Sequence, residues 1–197
     1  MITNTKQRNV LASWIADYEF NVFGTLTFDA KKLHREVIAQ RQNVRGAVSY
    51  EELKREVEIK ALKRYWNKLD RKYFGNSAYR NNKRIQRFNV VQIGKTGANT
   101  HIHFAALAPT KSVEAFKRRI DRVWKNEIKT SGLSEFSTIY DKKRLSEYLT
   151  HEYYKLGNDT IETETTVLHT ANKQENDTNN GRKHYKKLWM RHYKGKW

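Results

Sequence analysis

The chain has no cysteine. That excludes disulfide scaffolds, thiolate zinc sites, iron–sulfur clusters and thiol nucleophiles. It has one proline, Pro109, and nine scattered glycines in 197 residues, so no flexible linker marks a boundary before residue 157. No apolar run approaches the roughly 18 residues of a membrane span. The opening MITNTKQRNV lacks the apolar stretch of a secretory signal. The expectation is a protein that is not secreted and has no membrane partner, working in the cytoplasm or in the host compartment that holds nucleic acid. Acid is scarce too. Twenty-one Asp and Glu stand against 39 Lys and Arg, a net charge of +18. Such an excess repels itself and points to a polyanionic partner.

What is present is basic and aromatic. Aromatic residues make up 12%, with 11 Tyr and 5 Trp, the composition of a surface that holds phosphates and stacks bases. The length is enough to bury a core without staples. Three stretches differ in character. Residues 1–157 read as one folded unit, 158–181 as a polar, acidic connection, and 182–197 as a basic, aromatic end.

Within the first stretch, residues 5–18 predict a helix with Val10, Leu11, Trp14 and Ile15 on one side. Residues 21–28 read as a strand, and the basic residues 30–48 as an irregular loop. Residues 50–73 form the longest predicted helix, opened by a capping box of Ser49 and Glu52. Residues 85–94 and 100–107 read as two strands around the turn signal Thr96–Asn99. A helix over 111–129, a strand over 135–140 and a helix over 141–156 follow, and part of 160–168 could be a further strand. This order implies an α+β fold: an antiparallel-rich sheet with helices packed on it.

His101 and His103 alternate with Ile102, so both imidazoles leave one face of a strand. They form half of a divalent metal site, or two surface histidines of a basic protein. A hairpin centred between Gly97 and Ala98 would set Gln92 opposite His103, on the same face. Its amide oxygen is a candidate third ligand, and an ordinary polar residue is the other reading. On helix 141–156, Leu145, Leu149 and Leu156 mark the core side with Tyr153 beside them. Tyr148 lies at the edge, among Arg144, His151 and Lys155. Cations there, with a metal-bound phosphate, would favour its phenolate; an interfacial tyrosine among solvated Lys and Arg is the other reading.

Taken in order, these pieces resemble the HUH endonuclease superfamily and, within it, the rolling-circle replication initiators, or Rep proteins. Phe23-Gly24-Thr25-Leu26-Thr27-Phe28 is similar to the first Rep motif. Thr100–Leu107 carries the His-hydrophobic-His motif. Tyr148-Leu149-Thr150-His151-Glu152 resembles the third motif, Tyr-x-x-Lys followed by an acid. The resemblance spans roughly residues 20–157. It implies an RRM/palm-like nuclease fold and metal-dependent nicking and rejoining of single-stranded DNA. Mg²⁺ or Mn²⁺ would be held by His101, His103 and Gln92, and Tyr148 would be the nucleophile. His151 or Lys155 would take the part of the motif lysine, and Thr25, Thr27 and Arg144 would meet DNA. Expected partners are a DNA strand with a hairpin origin and a host helicase and polymerase.

Three positions depart from the pattern. His151 replaces a lysine, Gln92 stands where relatives carry Glu or another ligand, and there is one usable tyrosine rather than a pair. No Gly-x-x-x-x-Gly-Lys-Ser/Thr occurs, so no helicase is attached. Two other readings fit parts of the pattern. One is a single-strand insertion-sequence transposase. The other is a non-catalytic RRM-like protein that binds RNA or single-stranded DNA.

The basic end carries its own expectation. Tyr185, Trp189, Tyr193 and Trp197 recur every four residues among Arg182, Lys183, Lys186, Lys187, Arg191, Lys194 and Lys196. On a helix they form one aromatic band, suited either to docking on the domain or to clamping DNA through phosphates and stacking. Deleting 182–197 is expected to weaken DNA binding. It should flatten the salt dependence by roughly 0.7–0.9 in log–log slope per lost phosphate contact. An unchanged slope in a salt titration would assign the end to packing.

Overall fold

A computed structural model describes residues 4–44, 46–93, 100–153 and 160–168. The elements are α1 (Asn4–Ala16), β1 (Val22–Phe28), α2 (Ala30–Arg41), α3 (Tyr50–Phe74), α4 (Ser77–Arg80), β2 (Arg87–Ile93), β3 (Thr100–Ala106), α5 (Val113–Glu127), β4 (Ser131–Thr138) and α6 (Lys142–Leu149). The four strands form one sheet in the order β2-β3-β1-β4, and every neighbouring pair is antiparallel. β1 and β2 therefore run the same way with β3 between them, and β3 and β4 with β1 between them. Two split β-α-β units, closed by α3 and α5, interleave. The expected α+β fold, an antiparallel sheet with helices packed on it, is what the chain forms. Among the described residues no helix is long and apolar enough to cross a membrane.

The two sheet faces are used differently. One is covered by α3 and α5: Leu62, Tyr65, Trp66 and Leu69 meet Phe116, Ile120, Val123 and Trp124 over Val22, Leu26, Ile102 and Phe104. Both helices bury an apolar stripe, and their starts are fixed by side-chain caps. Ser49 and Glu52 make the reciprocal capping box, and Ser112 accepts from the Ala115 N–H. Among the described residues the other face is only half covered. There α1 and α6 bring Ile15 and Leu149, with Leu11, Trp14 and Leu145, onto Phe88, Val90 and Ala105. Val10, expected on the inner side of α1, is 39% exposed.

Four other expectations are corrected. Residues 30–48 are not an irregular loop. Asp29 accepts from the Lys32 N–H and starts α2, whose Leu33 and Val37 pack on Leu53 and Val57 of α3. Its dense charge marks a solvated helix face around a two-residue apolar stripe. α6 stops at Leu149, short of Gly157. The buried Thr150 hydroxyl bonds the Ser146 carbonyl at 2.8 Å, competing with the helical ladder, so His151 and Glu152 lie in a turn. β4 begins at Ser131 rather than 135, behind a register shift between Leu26 and Phe28. There a Cβ on Gly132 would come within 2.8 Å of the Phe28 backbone. Residues 160–168 touch β2 through two isolated bridges, Arg87 with Val167 and Val90 with Ile161, rather than as a continuous strand.

An ion pair inside this edge joins the pieces. Arg87 Nη1 donates to both Asp70 oxygens, at 2.9 and 3.1 Å, and its Nε to the Thr165 carbonyl at 2.8 Å. Its guanidinium lies 4.6 Å over the Trp66 ring. Asp70 also accepts from the Ile85 N–H at 2.8 Å. Both side chains are buried. Removing one partner leaves the other charge buried and unpaired, so Asp70→Ala should destabilise by about 3–5 kcal/mol, measured by urea denaturation.

Candidate functional site

The half of the second face that the described residues leave uncovered carries two rungs, polar except for Val90, which lies under the edge of the α1–α6 cover. The first runs Gln92, His101, Thr27, and the second Val90, His103, Thr25, Glu135. Gln92 therefore faces His101, not His103 as the turn-centred register implied. The two-residue shift leaves every side chain on its face, which is why alternation could not reveal it. The next position along the strands holds Phe88, Ala105 and Phe23, where the apolar cover of α1 and α6 begins.

His103 is fixed by this setting. Its Nδ1 lies 2.9 Å from Thr25 Oγ1, and the Phe23 ring stacks on it at 5.7 Å. Burial, and then the nearby His101 and His151, push its pKa down to about 4, so the ring is a neutral imidazole, the form a metal binds. In the tautomer whose Nδ1–H donates to Thr25, Nε2 is free for a ligand. His101 Nδ1 is buried with no hydrogen-bond partner among the described residues. The two ring centroids are 6.3 Å apart. Bringing both within roughly 2.0–2.1 Å of one ion requires the rings to close up.

Gln92 is buried, and its amide nitrogen lies 3.2 Å from His151 Nδ1, leaving its oxygen for a ligand. The same Nδ1 also reaches the Tyr148 carbonyl. The two bonds require different protonation of that nitrogen, so the His151 tautomer selects between them. Among the described residues no three His, Cys, Asp or Glu side chains gather at one point. The donor set is thus two imidazoles and one amide oxygen. It fits a divalent ion, and suits Mn²⁺ better than the harder Mg²⁺.

Tyr148 arrives from the last turn of α6. Its ring meets His103 edge-on at 5.4 Å and Phe23 at 5.7 Å, and the His151 ring lies against it at 5.1 Å. Tyr148 is 45% exposed and Tyr153 is buried, as the leucine stripe implied. Lys155, one of the expected cations, lies outside the described residues, and the described surroundings act the other way. Burial, with the Glu152 and Glu135 carboxylates, raises the Tyr148 pKa, so the resting side chain is a phenol, not a phenolate. Glu152 accepts from the Ile93 N–H at 3.2 Å, which ties the α6 end to β2.

The sequence thus brought together His101, His103, Gln92, Tyr148 and His151. Thr25 holds His103, and Thr27 donates to the Leu133 carbonyl at 3.1 Å. Both therefore brace the site in addition to bordering it. Arg144 is exposed on α6, its backbone N–H capped by Asp141. Lys155, Lys183, Lys186, Lys187 and Arg191 lie outside the described residues. Glu135 was missed as a neighbour of Tyr148 because it comes from a strand no helical wheel includes.

Comparison with family models, with curated proteins and with solved structures finds no match to this chain.

The depressed pKa has a measurable sign. Between its ordinary value of 6.5 and about 4, the unfolded chain takes up a proton that folded His103 refuses. Its contribution to stability is therefore present above pH about 6.5 and lost as pH falls toward about 4. Histidine-ring NMR should show His103 titrating last on acidification.

Proposed function

We propose that the chain is a divalent-metal-dependent endonuclease that nicks and rejoins single-stranded DNA through a tyrosine, as the resemblance to rolling-circle initiators implies. The observation that carries this reading is the meeting of Tyr148, from one helix, with the neutral His103 of a same-face histidine pair, inside a protein of net charge +18.

His101, His103 and Gln92 would hold the ion, which supplies Lewis-acid neutralisation of the non-bridging oxygens of one phosphate. Thr25 keeps the His103 ring in its ligating tautomer. The Tyr148 oxygen attacks phosphorus in line. A Tyr–O–P bond forms, the P–O3′ bond breaks, and the 3′ oxygen leaves to become a hydroxyl. The product is a 5′-phosphotyrosine, and a later 3′-hydroxyl reverses the step because the ester link is retained. The phenol must lose its proton during attack, and His151 is the imidazole that lies against it. Glu152 and Glu135 oppose deprotonation, and the divalent ion held beside the phosphate would supply the cationic charge that offsets them.

The substrate would be an unpaired segment, such as the loop of an origin hairpin, held through its phosphates by the basic surface. The freed 3′-hydroxyl would serve a host polymerase and helicase, in the cytoplasm or whichever compartment copies the replicon. A labelled hairpin-loop oligonucleotide incubated with Mn²⁺ should give a covalent adduct that maps to Tyr148. Tyr148→Phe should abolish the adduct and leave binding intact, since only the hydroxyl is lost. An adduct on Tyr153 or Tyr154, or none with any single-stranded loop, would refute the assignment.

A further inference from the structure

Beside the rung that carries His101, a cavity of about 520 Å³ opens between β1, α2, α3 and β3. Its size falls within the roughly 300–1,000 Å³ of small-molecule sites. Phe28, Leu33 and Tyr50 supply apolar and aromatic wall, and His101 itself borders it, so it is continuous with the candidate metal centre. The Tyr50 hydroxyl is 3.1 Å from His34 Nδ1, which steadies that ring.

Glu58 of α3 also lines the cavity and is 3% exposed. Burial raises the pKa of its carboxyl and the neighbouring Thr100 lowers it, and Oε1 has no hydrogen-bond partner among the described residues. Two cations act on it from nearby: Lys54, which also lines the cavity and pairs with Glu51, and Arg55, which pairs with Glu162. A buried acceptor left unpaired is costly, and its residue is one of those that line the cavity. An aromatic wall with one buried acceptor is the chemistry of a base pocket. The wall takes the flat face of a base, and the acceptor takes an N–H from its edge.

Resting on the single-stranded DNA reading, we propose that this cavity takes one unstacked nucleobase next to the phosphate at His101. Glu58 Oε1 accepts a hydrogen bond from the exocyclic amino group of that base. Cytosine, adenine and guanine carry such a group. Thymine does not, and its N3–H is flanked by two carbonyl oxygens that a carboxylate repels. The pocket therefore selects against thymine.

The test is fluorescence anisotropy of the full chain with labelled oligo-dC and oligo-dT of equal length, at one salt concentration and in EDTA. The wild type should bind oligo-dC about tenfold more tightly, the order that one base-edge contact contributes. Glu58→Gln keeps the shape but offers both donor and acceptor and no longer repels the thymine carbonyls, so the preference should collapse to about twofold or less, chiefly by a rise in oligo-dT affinity. Ala30→Phe, at the exposed mouth of the cavity, should bring oligo-dC down to the oligo-dT level without touching the core. Equal wild-type affinities, a preference that survives both variants, or one that appears only with added Mg²⁺ would overturn the pocket. A chain that forms the Tyr148 adduct but shows no preference loses the pocket alone. A wild type that binds neither oligonucleotide loses the DNA reading as well.

Discussion

The buried Asp70–Arg87 pair is the constraint on which the sheet edge depends. Arg87 opens β2, Asp70 sits near the end of α3, and one guanidinium also holds the Thr165 carbonyl. The largest helix, the edge strand and the late segment 160–168 are therefore fixed by one group. Burial works against the charged form of Arg87, and the Asp70 carboxylate opposes that effect. An uncompensated charge in this place would be more costly than an apolar pair. The 160–168 segment then covers part of the β2 edge, a surface that other chains could otherwise pair with. Gln92, five residues along β2 from Arg87, inherits its position from this anchoring.

The second sheet face shows how partial cover makes a site. α1 and α6 shield Phe88, Val90 and Ala105 and stop there. His103 lies at the boundary, with Phe23 on one side and Tyr148 across it. Enough water is excluded to keep its ring neutral, while Tyr148, on the outer side, stays near half exposed. Among the described residues, the charges that act on that phenol are two carboxylates. In the proposed reaction the side chain is therefore inert at rest and depends on its substrate complex for activation.

Much of this was legible in the sequence for identifiable reasons. Strand alternation placed His101 and His103 on one face, and the leucine stripe of α6 separated Tyr153 from Tyr148. The Ser49–Glu52 box marked the start of α3. Other features needed the third dimension. Shifting the hairpin by two residues preserves alternation, so Gln92 was set against the wrong histidine. The apolar stripe of α2 is two residues long and hidden in charge. The wheel around Tyr148 could not include Glu135, which reaches it from β4. Glu58 reads as one more solvated acid on a helix rich in them, and only packing against Thr100 shows it to be buried.

Gly24 sits between Phe23 and Thr25 with its open side toward the core, where a Cβ would lie 2.3 Å from the Phe104 ring and 2.8 Å from that of Phe136. The site and the core thus share three consecutive residues with nothing between them. A methyl group added there presses β1 outward and carries the Phe23 stack and the Thr25 bond to His103 with it. In a set of inherited variants, a change at this position would pass for damage to the chemistry although it touches none of the reacting groups. Residues ranked by distance from the reaction centre would miss it, because the disturbance travels through the thickness of a single strand.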